Sequence, residues 1–156
     1  MPTALVTVGK RLPDWISTGV GEYTRRLPPE FRLKIIEVPA AKRTRSRTLN
    51  AILKDEGECI RAAIPKASYV IVLDEHGKPF STLDLSVKMK DWRQTGQSVA
   101  FIIGGADGIE TALKHSADEI LALSALTLPH SLARLLFVEQ YYRAWSILNG
   151  HPYHRE

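Results

Sequence analysis

Five short runs rich in β-branched residues alternate with helix-like segments along the 156-residue chain, and this alternation constrains the fold more than any other feature. The runs cover residues 3–8, 33–38, 69–73, 99–103 and 119–123. Strands that alternate with helices are typical of α/β proteins with parallel strands, and the length is in the range of one domain. We therefore expect a single α/β domain, residues 1–156, with a mostly parallel sheet and flanking helices.

Local signals predict where two of the helices begin and end. Asp14 is expected to cap a helix that stops before Pro28, because proline cannot continue the hydrogen-bond ladder. Ser81 and Asp84 have the spacing of a capping box, in which each residue satisfies a free backbone N–H near the other. The helix that they open can end at Gly96 in a left-handed turn.

A last helix, predicted from about residue 130 to 149, has almost no polar face. Its apolar residues are Leu132, Leu135, Leu136, Phe137, Val138, Tyr141, Tyr142, Trp145, Ile147 and Leu148. Such a helix must be covered on two sides, whereas one sheet covers only one side. We therefore predict that a second copy of the chain covers the other side in a homodimer.

Composition and charge narrow the function classes. The net charge of +4 favours approach to a polyanion, but an excess of this size does not by itself identify a nucleic-acid-binding protein. No apolar run approaches the ~20 residues of a membrane-spanning helix, and no basic region precedes the short apolar run at the N-terminus. We predict a cytoplasmic protein without a membrane partner. The single cysteine, Cys59, cannot form an intrachain disulfide and is given a passive role.

The segment from Ala41 to Arg47 concentrates positive charge. Its cations are Lys42, Arg43, Arg45 and Arg47. Such a segment can bind the phosphates of a nucleic acid, or it can be a solvated loop before a helix. The sequence supports both interpretations equally.

Three loops that follow predicted strands, after Leu73, Ile103 and Leu123, are candidates for a binding site. The glycines of the segment 102–108 let a ligand approach the backbone, although a tight turn explains them about as well, and their spacing is not that of a dinucleotide site. Small polar and apolar residues alternate over 123–130, which suits a flat heterocycle such as adenine but also an ordinary loop. Because open α/β sheets bind ligands beyond the carboxyl ends of their strands, the three loops together favour a pocket.

The C-terminal segment, from Gly150 to Glu156, combines several groups that can handle protons. A frayed end is the usual state of such a segment. Since there is no third obvious ligand beside the two histidines, we predict no metal site. His151, His154 and Glu156 could act as acid or base, and Arg155 could stabilise an anionic base.

These segments together resemble the ribosomal RNA large subunit methyltransferase H family, a branch of the knotted SPOUT methyltransferases, and the resemblance covers essentially the whole chain. It is carried by Val8-Gly9-Lys10, Pro13-Asp14-Trp15, Glu22-Tyr23, Leu73-Asp-Glu-His-Gly-Lys78, Ile103-Gly-Gly105, Leu123-Ser-Ala-Leu-Thr-Leu-Pro-His130, Tyr142-Arg-Ala-Trp145 and His151-Pro-Tyr-His154. One departure is Ala106, which stands before Asp107 where the resemblance leads us to expect proline before an acid.

The resemblance implies a homodimer with a deep trefoil knot in the C-terminal half of the chain, although physical reasoning alone argues against a threaded chain. It implies that S-adenosylmethionine binds in the knot and that N3 of a pseudouridine in large-subunit (23S) ribosomal RNA is methylated on assembled ribosomes. The cofactor contacts that it implies are Leu73, Gly105, Leu123, Ser124, Ala125, Leu126, Thr127 and Leu128.

Methyl transfer to the imide nitrogen N3 needs loss of a proton and stabilisation of the resulting anion. We assign these roles to the C-terminal tail: Arg155 stabilises the anion, His154 accepts or relays the proton, and Tyr153 stacks on or hydrogen-bonds the base. Two alternatives remain at this point. One is a non-catalytic RNA-binding or ribosome-associated factor, and the other is a flavodoxin-like nucleotide-binding oxidoreductase.

Overall fold

In the computed structural model, which describes residues 1–155, every predicted strand run forms a strand. The strands are β1 (Thr3–Val8), β2 (Leu33–Val38), β3 (Tyr69–Pro79), β4 (Val99–Ile103) and β5 (Glu119–Ala122). They form one sheet in the order β2-β1-β4-β3-β5, and each neighbouring pair is parallel. The predicted α/β fold with a parallel sheet is confirmed.

The first, third and last helices begin and end close to the predicted positions. The helices are α1 (Asp14–Arg26), α2 (Leu49–Ala63), α3 (Thr82–Thr95), α4 (Thr111–Ser116) and α5 (His130–Leu148), with a 3-10 turn at Pro29–Phe31. The capping box of α3 is present, and Gly96 ends this helix with a φ of 70°. Asp14 was wrongly predicted as a cap, because Pro13 precedes α1 and no side chain caps it. Within residues 1–155 no helix combines the length and apolar character needed to cross a membrane.

Two apolar cores lie on opposite faces of the sheet. One core packs α1, α3 and α5 against the face that carries Leu5 and Phe101. The other core packs α2 and α4 against the face that carries Val6 and Ile102. The alternating side chains of β1 and β4 thus reach both cores, as expected for central parallel strands.

Helix α5 lies between α1 and α3 in the same chain, and none of its residues is fully exposed. Gly19 of α1 lies so close to Leu135 that a Cβ atom there would be 2.8 Å from a methyl carbon of Leu135. Thr82 of α3 donates a hydrogen bond of 2.5 Å to Gln140. Two helices of its own chain therefore flank α5, but six of its ten apolar residues remain only half-buried: Leu132, Leu135, Leu136, Trp145, Ile147 and Leu148. The homodimer itself stays a prediction.

Strand β3 is longer than predicted and has an interruption. Leu73 and Lys78 both pair with Leu121, so residues 74–77 leave the ladder and return to it. Gly77 crosses β5 at close range, since a Cβ atom there would lie 2.8 Å from the carbonyl oxygen of Ile120. Only glycine permits this approach, which holds the excursion 74–77 over the carboxyl end of β5.

Candidate active site

A cavity of about 800 Å³ lies at the carboxyl edge of the sheet, between the loops that follow Leu73, Ile103 and Leu123. Seven of the eight residues predicted to contact a cofactor line it, and Ala125 does not. The seven are Leu73, Gly105, Leu123, Ser124, Leu126, Thr127 and Leu128. Residues far apart in sequence thus meet at one site, while their contact with a cofactor stays a prediction.

The second loop forms a tight turn over residues 104–108, here called the glycine turn. Gly105 and Gly108 pair across it, and the Gly108 N–H donates to the Gly105 carbonyl at 3.1 Å. A Cβ atom on Gly104 would lie 2.5 Å from the Gly108 carbonyl oxygen, so this position requires glycine. A Cβ atom on Gly105 would instead meet a methyl carbon of Val8 at 3.0 Å. Val8 does not line the cavity, so Gly105 is also needed for packing against β1.

The first loop brings carboxylates to the cavity. Asp74 accepts a hydrogen bond of 2.9 Å from the His76 N–H and pairs with Lys114 at 3.0 Å. Burial works against ionisation of Asp74, but the His76 N–H and the Lys114 ammonium outweigh it and lower the pKa of this carboxyl group. Glu75 accepts a hydrogen bond of 2.5 Å from the Thr127 hydroxyl, which ties the first loop to the third.

The third loop presents an apolar side chain at the cavity. Leu126 is 72% exposed, although it lines the cavity together with Leu73 and Leu128. The Leu126 N–H donates to the Ser124 hydroxyl at 2.9 Å, which fixes a local turn. The loop therefore offers apolar surface to a ligand without needing that surface for its own core.

The segment 41–47, here called the basic loop, is divided between two roles. Arg43 pairs with Asp107 at 2.9 Å, and Arg47 forms an ion pair with Asp55. Within residues 1–155, the exposed Lys42 and Arg45 form no ion pair. Two of the four cations thus have structural partners, and two are available to an external anion.

The C-terminal tail is folded back against α5. The Tyr153 hydroxyl lies 2.9 Å from Glu139 and 3.3 Å from the Tyr23 hydroxyl. Burial, together with these two partners, raises the pKa of Tyr153. A ring nitrogen of His154 lies 3.5 Å from Arg143, and its other ring nitrogen is buried without a hydrogen-bond partner among residues 1–155. Arg155 is exposed, and Glu156 lies outside the described residues.

None of the residues 150–155 lines the cavity. Helix α5 has 19 residues and begins at the cavity-lining His130, so its far end is about 28 Å away. The tail returns to Glu139, which is still about 14 Å along the helix from His130. One chain therefore gathers the predicted cofactor residues but leaves Tyr153, His154 and Arg155 apart from them. Within the described part of the chain, no three His, Cys, Asp or Glu side chains are grouped as metal ligands.

Two charged residues beside the cavity, Lys114 and Arg134, were not predicted from the sequence. Arg134 is 2% exposed, pairs with Glu37 at 2.7 Å and donates to the Gly9 carbonyl at 3.1 Å. It thereby fixes the first turns of α5 to the end of β1, beside the cavity. A single arginine in an otherwise apolar stretch of helix was the available signal, because buried charges are normally paired.

Comparison with known proteins gives a consistent result. A family model described as "Predicted SPOUT methyltransferase" matches residues 1–154. Proteins named "Ribosomal RNA large subunit methyltransferase H" from Burkholderia thailandensis and Burkholderia mallei are 46% identical over 155 residues, covering 99% of each chain. The protein of the same name from Paraburkholderia phymatum is 44% identical with the same coverage. Among solved structures, TrmJ from Z. mobilis ZM4 superposes with a TM-score of 0.55 at 12% identity, over 92% of this chain and 70% of that one. This last likeness concerns the fold alone.

Proposed function

The chain belongs to the SPOUT methyltransferase family, and from that premise we propose that it uses S-adenosylmethionine to methylate N3 of a pseudouridine in large-subunit (23S) ribosomal RNA on assembled ribosomes. The observation that carries the proposal is the cavity at the carboxyl edge of the sheet, where three loops distant in sequence meet. The relatives named for ribosomal RNA methylation match over 99% of the chain, so the comparison includes all three loops.

The residues at the cavity suit this methyl donor. Leu73, Leu126 and Leu128 offer apolar surfaces to an adenine ring, and the surrounding backbone can hydrogen-bond its edge. Lys114 already compensates the charge of Asp74 at 3.0 Å, and the Glu75 carboxylate adds negative charge to the same cavity, which favours a ligand that carries positive charge. The volume of about 800 Å³ is in the range of small-molecule sites.

When bound, S-adenosylmethionine supplies a methyl group activated by a positively charged sulfur. The protein must place N3 of the base in line with that methyl group and accept the N3 proton. We assign stabilisation of the base anion to Arg155, acceptance or relay of the proton to His154, and contact with the base to Tyr153. Because these residues lie away from the cavity of their own chain, we propose that the tail of a second copy supplies them in a homodimer.

Unpaired cations at the carboxyl edge support RNA binding. Lys10 and Arg11 follow β1, and Lys42 and Arg45 follow β2. All four are exposed, and none of them forms an ion pair within residues 1–155. Phosphate contacts from such residues provide affinity that depends on salt concentration. We propose that these loops bind the RNA backbone around the methylated base.

We also propose the trefoil knot of the family for the C-terminal half. Two observations support it. The Thr127–Glu75 hydrogen bond holds the third loop against the excursion 74–77, and the next element, α5, packs between α1 and α3. Because chains rarely thread loops, the proposal of a knot rests chiefly on membership of the family.

One experiment separates the proposal from its rivals. The purified protein is titrated with S-adenosylmethionine, a reduced nicotinamide and a flavin, and is then incubated with labelled donor and ribosomes that lack the modification. We expect selective binding of S-adenosylmethionine and label at one pseudouridine, located by mass spectrometry of RNA fragments. Donor binding without transfer to any RNA would contradict the assigned substrate. Selective binding of flavin or nicotinamide would favour an oxidoreductase. Binding to ribosomes without binding of any of the three small molecules would favour a non-catalytic factor.

A further inference from the structure

We propose that Arg43 is a positioning residue for the methyl-donor cavity, and that it holds the glycine turn in place instead of contacting RNA phosphate. The inference rests on the proposed function for the identity of the ligand. Arg43 belongs to the basic loop between β2 and α2, whereas the turn lies between β4 and α4. The side chain thus joins two loops that are 64 residues apart in sequence.

The hydrogen-bonding nitrogens of Arg43 are occupied inside the chain. Nε and Nη2 each lie 2.9 Å from Oδ2 of Asp107. Nη1 lies 3.1 Å from the Ala41 carbonyl oxygen and 3.3 Å from Oε2 of Glu56. A phosphate could engage this guanidinium only in competition with these partners.

The buried carboxylate of Glu56 fixes the position of Arg43. The Glu56 side chain is 2% exposed, and its Oε2 also accepts a hydrogen bond of 3.0 Å from the Ala41 N–H. A buried carboxylate is costly without a cation, and Arg43 is the cation beside it. The guanidinium is therefore fixed on one side by a buried charge and holds Asp107 with the other.

Beyond the hydrogen bond between the Gly108 N–H and the Gly105 carbonyl, the tip of the glycine turn has little else to hold it. Three glycines surround the tip and give its backbone wide conformational freedom, and Ala106 stands where the family resemblance leads us to expect proline. Ala106 and Asp107 are exposed, and Arg43 makes the only side-chain hydrogen bond to them among the described residues. Since Asp107 lines the cavity, its position affects the shape that the donor meets.

The first test compares two aspartates that each pair with an arginine of the basic loop. Asp107→Ala removes the contact with the turn, whereas the control Asp55→Ala removes the partner of Arg47 and does not line the cavity. Titration calorimetry with S-adenosylmethionine should show donor affinity weakened about three- to tenfold in Asp107→Ala. The control should bind like the wild type, and neither variant should change the melting temperature without ligand.

The second test distinguishes positioning from phosphate binding. Arg43→Gln should weaken donor binding but leave the salt dependence of ribosome binding unchanged, whereas Lys42→Ala with Arg45→Ala should do the reverse. Adding Asp107→Ala to Arg43→Gln should cause no further loss of donor affinity, because both changes remove the same ion pair. Arg43→Gln leaves Glu56 without its cation and could fail to fold for that reason. Arg43→Lys is then used instead, because lysine keeps a cation beside Glu56 but cannot bridge two carboxylates. This variant should weaken donor binding as Asp107→Ala does.

Several outcomes would overturn the inference. An Asp107→Ala variant that binds the donor as tightly as the wild type would contradict it. So would a salt slope of ribosome binding that falls by about 0.7 to 0.9 in Arg43→Gln, because that is the change expected when one phosphate is no longer bound. Additive losses in the double variant would show that Arg43 and Asp107 act independently. If the wild-type protein binds no S-adenosylmethionine, the proposed function is refuted as well. If the wild type binds the donor and Asp107→Ala binds it equally well, only the role of Arg43 is refuted.

Discussion

The hydroxyl group of Tyr153 lies 2.9 Å from a carboxylate oxygen of Glu139, so the C-terminal tail is folded back along the helix that precedes it. The Tyr153 ring also packs edge-on against Tyr142, with 4.7 Å between ring centroids, and the Arg143 guanidinium lies 4.8 Å from its centroid. The tail is therefore an ordered part of the surface formed by α1 and α5. Arg155, beyond these contacts, is the residue that can be changed without disturbing them.

We predict that Arg155→Ala abolishes most methyl transfer without affecting the fold. Arg155 is exposed and forms no ion pair with another described residue, so the melting temperature and donor affinity should not change. Loss of a group that stabilises a transition-state charge typically lowers kcat about 10²- to 10³-fold. Initial rates with ribosomes and labelled donor give the measurement. The control is Arg32→Ala, which lies near the amino ends of the strands, opposite the cavity. Full activity in Arg155→Ala would show that Arg155 has no catalytic role.

Leu126→Ala should weaken donor binding while leaving the free protein as stable as before. The side chain is 72% exposed but lines the cavity, so its apolar surface contributes only when a ligand covers it. Removing its outer carbons should cost about 1.4 kcal/mol of binding, roughly tenfold in Kd. Leu49→Ala, at a 52% exposed leucine of α2, is the matched control. Equal donor affinities for both variants would place the adenine elsewhere.

We predict that Lys42→Ala with Arg45→Ala weakens ribosome binding and flattens its salt dependence. Each phosphate that the variant no longer binds should lower the slope of log K against log salt by roughly 0.7 to 0.9. Arg32→Ala with Lys34→Ala removes the same charge near the amino ends of the strands and should leave the slope unchanged. Filter binding or light scattering over a salt series provides the slopes. Equal slopes for the two double variants would identify the basic loop as a solvated surface.

Features that depend on neighbouring residues could be predicted from the sequence, whereas features that depend on distant pairing could not. The capping box of Ser81 and Asp84 uses two residues three apart, and it forms as predicted. The ion pair of Arg43 with Asp107 joins residues 64 apart, and no local pattern indicates that this cation already has a partner. The interruption of β3 likewise depends on its pairing with β5. Convergence of the loops was predictable because the carboxyl ends of parallel strands meet at one edge.

Alkaline pH should unfold the protein partly through Tyr69. Its hydroxyl donates a hydrogen bond of 3.0 Å to Glu119, and burial together with this carboxylate raises the pKa of Tyr69 from 10.0 to about 12. The folded state then holds the proton more tightly than the unfolded chain, so this stabilisation is complete below pH 10 and is lost as the pH rises towards 12. Tyr69→Phe should make the fall of unfolding free energy over that range less steep. Urea titrations at several pH values measure it, and an unchanged pH dependence would contradict the assignment.

The position of the tail leads to the last prediction, that the active site is shared between two copies of the chain. Arg155→Ala subunits keep an intact cavity, whereas Gly105→Val subunits keep an intact tail but have a deformed glycine turn, since the new side chain meets Val8. Each homodimer should be inactive. A heterodimer joins the intact cavity of one copy to the intact tail of the other, and it should recover about one working site.

The heterodimers are made by co-expression with two affinity tags, and titration of the Gly105→Val homodimer confirms that it binds no donor. If each tail served the cavity of its own chain, every subunit in the mixture would carry one disabling change, and no activity could return. Activity near half of the wild-type value per dimer would therefore require a tail acting on the other copy. Purified heterodimers without activity would refute the shared site, and sedimentation of the wild-type protein as a monomer would refute the homodimer on which it depends.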